Sequence, residues 1–195
     1  MPGKRILSGY RPTGKLHLGH LHGNLSKMIE LQQQAECFFF VADWHALTTD
    51  YQDTQALRAN TEDMVLDWLA AGIDPDRTVI YRQSDLPQVA ELALYLSFIT
   101  PLGWLERVPT YKEQLEQLGH KEISTHGFLG YPVLQAADIL IALADGVPVG
   151  EDQLPHLELT REIARRFNFL YGELLPEPAS ILSSYTRVSG TDGRK

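Results

Sequence analysis

Cysteine is nearly missing from this chain of 195 residues, and so is any surplus of positive charge. A single cysteine, Cys37, cannot close a disulfide within the chain, which excludes a disulfide-stapled scaffold. It lies in the apolar run Cys37-Phe38-Phe39-Phe40-Val41-Ala42, where a buried thiol in a reducing compartment is the expectation. Lys and Arg number 17 against 25 Asp and Glu, a net charge of −8, so no bulk basic field advertises a nucleic-acid partner. Contact with RNA would have to rest on a local patch such as Arg161, Arg165 and Arg166, for which the solvated face of a helix is the preferred reading, or on missing sequence. Long apolar runs are missing too. None is long enough to span a bilayer and no secretory leader opens the chain, so a soluble, cytoplasmic protein is expected. Repeats and low-complexity linkers are also absent. What remains, at 44% hydrophobic residues, can bury a sizeable core in one domain.

Strand and helix patterns alternate along that domain. Ile6-Leu7-Ser8-Gly9 reads as a short buried strand, and a helical spacing begins at Leu18. Cys37 to Ala42 reads as a buried parallel strand ending in the polar-aromatic Asp43-Trp44-His45. Asp53 and Thr54 suit the cap of a long helix through Ala71, with Gly72 as its C′ residue and Met64, Val65, Trp68 and Leu69 as its core face. Thr78 to Tyr81 is the next strand. Helices are expected from Pro87 to Ile99, Tyr111 to Leu118, Tyr131 to Ala144 and Gln153 to Phe169, with a short strand at Val147-Pro148-Val149. From Pro176 on, periodicity fades. Such alternation predicts an α/β fold, a doubly wound parallel sheet of Rossmann-like type, with ligands beyond the carboxyl ends of its strands.

Three segments carry candidate chemistry. The first is His17-Leu18-Gly19-His20, which follows the turn Arg11-Pro12-Thr13-Gly14-Lys15. Strand, glycine turn and helix N-terminus together make an anion site, because unpaired backbone N–H groups and the helix dipole point there. Two imidazoles three residues apart share a face of the first turn and suit the phosphates of a nucleotide. The competing reading is a metal cluster of His17, His20 and His22, as in a metal-dependent hydrolase. It lacks an Asp, Glu or Cys at metalloprotease-like spacing.

The second segment is the apolar helix from Tyr131, where Tyr131, Gln135 and Asp138 stand at i, i+4 and i+7 and share one face. A solvent-facing stripe would carry Lys or Glu, and none occurs between Tyr131 and Ala144. A polar stripe facing an internal pocket is therefore preferred, in which a carboxylate can accept a ligand N–H and reject analogues lacking that donor. The third is Gly150-Glu151-Asp152-Gln153, at a strand's carboxyl end. Asp152 suits an N-cap there, with Pro155 in the first turn, and three adjacent side chains can bond hydroxyls and amines.

Taken together, these segments resemble the bacterial tryptophanyl-tRNA synthetases, which are class I aminoacyl-tRNA synthetases. The resemblance runs through Ser8-Gly9, Pro12-Thr13-Gly14, His17 to His20, Tyr131 to Leu140, Val147 to Gln153, and Arg166-Phe167-Asn168 with Tyr171-Gly172-Glu173, nearly the whole chain. It implies a HUP-type nucleotide-binding domain that activates L-tryptophan with ATP and Mg²⁺, releases pyrophosphate and passes the aminoacyl group to tRNA(Trp). His17 to His20 match the HIGH element. The resemblance implies His17, His20 and Lys195 as catalytic residues, and Arg11, Gly19, His20, Gly150, Glu151, Asp152 and Lys195 at ATP. It implies Leu7, Tyr131, Gln135, Asp138, Val147, Val149 and Gln153 around tryptophan, with Asp138 accepting the indole N–H. It implies a homodimer, and no resident protein-bound metal.

Two departures accompany the resemblance. Position 11 is Arg where several relatives have Gln. Lys195 stands where the first lysine of the second nucleotide loop, the KMSKS element, would stand. The expectation is thus a catalytic domain over residues 1–195 without the rest of that loop or the helical anticodon-binding domain, and with much weaker adenylate formation than an intact enzyme. Two other readings stay open at this point: a truncated paralogue that binds tryptophan or ATP without catalysis, and a tyrosine-activating enzyme.

Overall fold

The computed structural model describes residues 3–108 and 125–182. Five strands form one all-parallel sheet in the order β3-β2-β1-β4-β5. They are β1 (Arg5–Tyr10), β2 (Glu36–Val41), β3 (Thr78–Arg82), β4 (Gly146–Val149) and β5 (Ala179–Leu182). The chain winds outward from β1 to β2 and β3, then returns to the other side of β1 for β4 and β5. That reversal at β1 is the topological switch point, where open α/β sheets bind ligands. The doubly wound fold is as expected.

Alternation along the strands explains why helices cover both faces. Ile6, Cys37, Phe39 and Val41 pack with Met28, Leu31, Met64 and Trp68 on one side. Leu7 and Phe40 point the other way, toward Ile139, Val147, Val149 and Leu157. The first side is covered by the helical run of α1 (Leu18–His20), a π-helical turn (Leu21–Leu25) and α2 (Ser26–Leu31), together with α4 (Leu57–Ala71). A third apolar cluster joins α5 (Gln88–Ile99), α6 (Leu102–Glu106), α7 (His126–Ile141) and α8 (Leu154–Tyr171). Cys37 is buried, and burial pushes its thiol up to about 11. No helix among the described residues is long and apolar enough to cross a membrane.

Several local expectations need correction. Asp43-Trp44-His45 is no strand tail but the first turn of α3 (Asp43–Asp50), entered from Ala42 without a side-chain cap. Asp53 and Thr54 do not cap α4: its N-cap is Ala56, and Asp53 instead accepts the N–H of Gln55 in a local turn. Gly72 does close that helix, at φ 110°, a conformation that favours glycine. Leu69 is 40% exposed, because the helix turns only the Met64 and Trp68 ridge fully inward. Asp152 is not an N-cap either. A 3-10 turn (Glu151–Gln153) precedes α8, and Gln153 N–H bonds the Gly150 carbonyl while the Asp152 carboxylate accepts the Gln153 amide. The helix of Tyr131 starts earlier, at His126, capped by the Thr125 hydroxyl. The strand β5 was not legible at all. The expected helix from Tyr111 to Leu118, and Arg187 to Lys195, lie outside the described residues.

Candidate active site

Between β1 and β4 only one residue pair is in register, Ile6 with Gly146, whereas β1 and β2 pair over six residues. Toward their carboxyl ends the two strands therefore flank a gap, and a cavity of about 340 Å³ opens there. This is within the size of small-molecule sites, roughly 300–1,000 Å³. Its walls come from the ends of β1 and β4, the inner face of α7, and His45 of α3 and His156 of α8.

All seven residues expected around the amino acid line this one cavity: Leu7, Tyr131, Gln135, Asp138, Val147, Val149 and Gln153. The stripe on α7 faces inward, as its lack of Lys and Glu implied. Of the nucleotide candidates, Arg11 and Gly150 also reach the wall. Glu151 and Asp152 lie exposed on the turn beyond it, and His17, Gly19 and His20 stand outside the lining. Lys195 lies outside the described residues. Gly9 has a steric reason: a Cβ there would stand 2.5–2.8 Å from the ring of Phe40, another wall residue. No L side chain fits without driving that ring aside.

Asp138 is 1% exposed and sits in a tertiary network. His45 Nε2 lies 2.8 Å from its Oδ2, and Gln83 Nε2 donates to both carboxylate oxygens at 2.9 Å. Gln83 is held in turn, its Oε1 accepting Trp44 N–H at 3.1 Å. Burial pushes the Asp138 carboxyl above its ordinary range, while His45 and Gln83 pull it back toward the ionised form. A carboxylate offers about four lone-pair sites. Asp138 also lines the cavity, so a ligand donor there can reach its carboxylate.

At the opposite end, the Tyr131 hydroxyl lies 2.6 Å from His156 Nε2. His156 is 2% exposed, and burial holds its imidazole down to about 4 against the pull of Asp152. On the β1 side, Asn24 Nδ2 donates to Ser8 Oγ at 3.0 Å, and both residues line the cavity. The π-helical turn (Leu21–Leu25) holds Asn24 in that position. Such turns concentrate at functional sites.

The imidazoles of the first helix form a reciprocal cap. His17 Nδ1 accepts Gly19 N–H at 3.1 Å, and His20 Nδ1 accepts His17 N–H at 3.2 Å. Each bond needs an unprotonated Nδ1, which leaves Nε2 as the proton-bearing nitrogen of each neutral ring. Burial and the neighbouring His17 keep the His20 imidazole below its ordinary value. The His20 ring packs edge-on against Tyr10 at 5.6 Å, and Tyr10 lines the cavity, so the pair stands one ring away from it. Among the described residues no group of three or more His, Cys, Asp or Glu is placed to hold a metal ion. The arginines Arg161 and Arg165 are engaged by Glu158, and Arg166 lies over Trp104.

Sequence reasoning missed His45 as a network member, and it missed Gln83 and His156 altogether. One signal was available for His156: an imidazole between Leu154 and Leu157 in the first turn of an amphipathic helix.

A cavity of small-molecule size at the switch point of a doubly wound sheet, close to a helix start that carries two imidazoles, places the chain in the class of α/β ligand-binding folds. The chain belongs to the tRNA synthetases class I (W and Y), whose family model matches residues 3–195. The tryptophan–tRNA ligase of Thermotoga maritima is 62% identical over 192 residues, 98% of this chain and 58% of that protein. That of Ralstonia nicotianae is also 62% identical, over 87% of this chain and 42% of its own length. The tryptophanyl-tRNA synthetase of Campylobacter jejuni, complexed with ADP and tryptophan, superposes with a TM-score of 0.90 at 39% identity, over 98% of this chain and 59% of that one. The chain thus spans between 42% and 59% of the length of these relatives.

Proposed function

We propose that this chain carries the amino-acid-activating part of a tryptophan–tRNA ligase: it binds L-tryptophan and ATP, forms tryptophanyl-adenylate and releases pyrophosphate. The observation that carries this reading is the Asp138 carboxylate at the cavity wall, buried and oriented by His45 and Gln83, an acceptor suited to an N–H donor. The indole ring is apolar and has one such donor. Leu7, Val147 and Val149 offer it an apolar enclosure, while Tyr131, Gln135 and Gln153 suit the α-amino end.

The attack needs no general base, because an amino-acid carboxylate is already ionised at neutral pH. One of its oxygens bonds the α-phosphorus of ATP as the bond to the leaving pyrophosphate breaks. The demand is alignment and stabilisation of phosphate charge. His17 and His20, as neutral Nε2–H donors at a helix start, suit that charge, and Arg11, Gly19 and Gly150 border the approach. Glu151 and Asp152 suit the ribose hydroxyls, and Lys195 the leaving phosphates. Mg²⁺, lacking a carboxylate cluster among the described residues, would enter on the triphosphate oxygens. The aminoacyl group then passes to tRNA(Trp).

A cytoplasmic homodimer fits this reading. Leu94, Tyr95, Phe98 and Leu102 of α5 and α6 are each more than half exposed and give such a pair an apolar face. The test is tryptophan-dependent exchange of labelled pyrophosphate into ATP by the purified chain, with tyrosine and His20→Ala as controls. Exchange with tryptophan alone, lost in the variant, is the expected result. Exchange driven equally by tyrosine would overturn the assignment.

A further inference from the structure

We propose that His156 sets the polarity of the cavity's amino end: its Nε2 takes the hydroxyl proton of Tyr131, so that the phenol oxygen faces the ligand as an acceptor and selects a protonated amine. The inference rests on the reading of this cavity as an amino-acid site and adds a positioning residue to it.

The direction of the proton follows from chemistry and geometry. A phenol is a stronger acid than a neutral imidazole N–H, and an imidazole nitrogen is a stronger acceptor than a phenol oxygen. The 2.6 Å separation falls among hydroxyl-donated bonds, about 2.5–3.0 Å, and below the usual N–H-donated range of about 2.7–3.2 Å. His156 is 2% exposed, and so deeply buried that its ring stays neutral at physiological pH. A neutral ring that accepts at Nε2 carries its proton on Nδ1. Both residues line the cavity, from α7 and from the first turn of α8.

Reversing the bond shows what the arrangement accomplishes. Were Nε2 the donor, the phenol proton would be free to point at the ligand and repel an ammonium group. With His156 as acceptor, the phenol lone pairs are what a ligand meets. An amine with protons to give is then held, and the same ligand without its amine gains nothing from Tyr131.

The experiment has two arms on the intact chain. In the first, histidine-selective ¹⁵N NMR of the unliganded protein reads the tautomer of His156. Protonated Nδ1 with bare Nε2 is expected, and a proton on Nε2 overturns the proposal. In the second, calorimetry compares tryptophan with indole-3-propionate, which lacks only the amine. His156→Leu should lower the preference for tryptophan about tenfold and leave indole-3-propionate within about twofold. His156→Gln, whose carboxamide oxygen can take the phenol proton, should restore most of that preference. Equal loss for both compounds in His156→Leu and His156→Gln assigns His156 to scaffold alone and overturns the proposal. Binding of neither compound by the unaltered chain overturns the amino-acid reading itself, while the tautomer still decides the proton's direction.

Discussion

The two ends of this site are built in opposite ways. The bonds that fix Asp138 join residues 93 and 55 positions away, in a spot 1% exposed. The bonds that fix His17 and His20 reach only two and three residues, and His17 is exposed. The proposed function gives this difference a reason in what each end would hold. Discriminating one neutral N–H donor requires that water be kept out, and so requires a network drawn from α3, α7 and the strand-end Gln83. A phosphate would call for donors at an open rim; the backbone N–H groups of His17 and Gly19 are taken by the imidazole caps, so what this one turn of helix presents is the Nε2 side of its two rings. The floor is a tertiary product; the rim is a local one.

That contrast can be broken from the floor first. Asp138→Ala should lower tryptophan affinity on the order of 10²–10³-fold, since it removes the acceptor and leaves two buried donors unmatched. A titration calorimetry experiment reads this directly, and a change under about threefold would break the contrast. Next comes the rim. His20→Ala should slow pyrophosphate exchange about 10²-fold while tryptophan affinity stays within about twofold, because its contribution falls on the transition state. Parallel loss of both would merge the two ends into one unit. A smaller effect is expected for Gln83→Leu, which keeps the acceptor but frees its orientation: about tenfold in affinity, with unfolding free energy lowered by about 1–3 kcal/mol. Denaturant unfolding beside calorimetry separates those two effects. Least of all, Arg58→Gln should change unfolding free energy by less than about 0.5 kcal/mol, as its partner Glu62 is also exposed and the pair is screened by water.

The same division explains what the sequence disclosed. Signals with a local cause were legible: the apolar strands, Gly72 after a long helix, the histidine pair at a helix start, and the uncharged stripe of Tyr131, Gln135 and Asp138. Each is written within about one or two turns of chain. Gln83 and His156 were not, because a polar residue is satisfied in the core by partners that periodicity cannot locate. The partner of Asp138 lies at His45, on a helix that began without a cap or turn residue to announce it. The strand β5 escaped for a related reason. Ala179-Ser180-Ile181-Leu182 is a short edge strand of mixed polarity, recruited by β4 rather than by its own pattern. Apparent capping residues misled at Asp53 and Asp152, where short-range turns took the carboxylate instead.

In the proposed function the Asp138 carboxylate reads one N–H donor at the cavity wall. That claim is tested most directly by titrating the chain with tryptophan and with 3-benzothienylalanine, in which sulfur replaces the indole N–H and little else changes. The account predicts that tryptophan binds about 10²-fold tighter or more, and that Asp138→Ala erases the gap. Equal affinity of the unaltered chain for both compounds would contradict it.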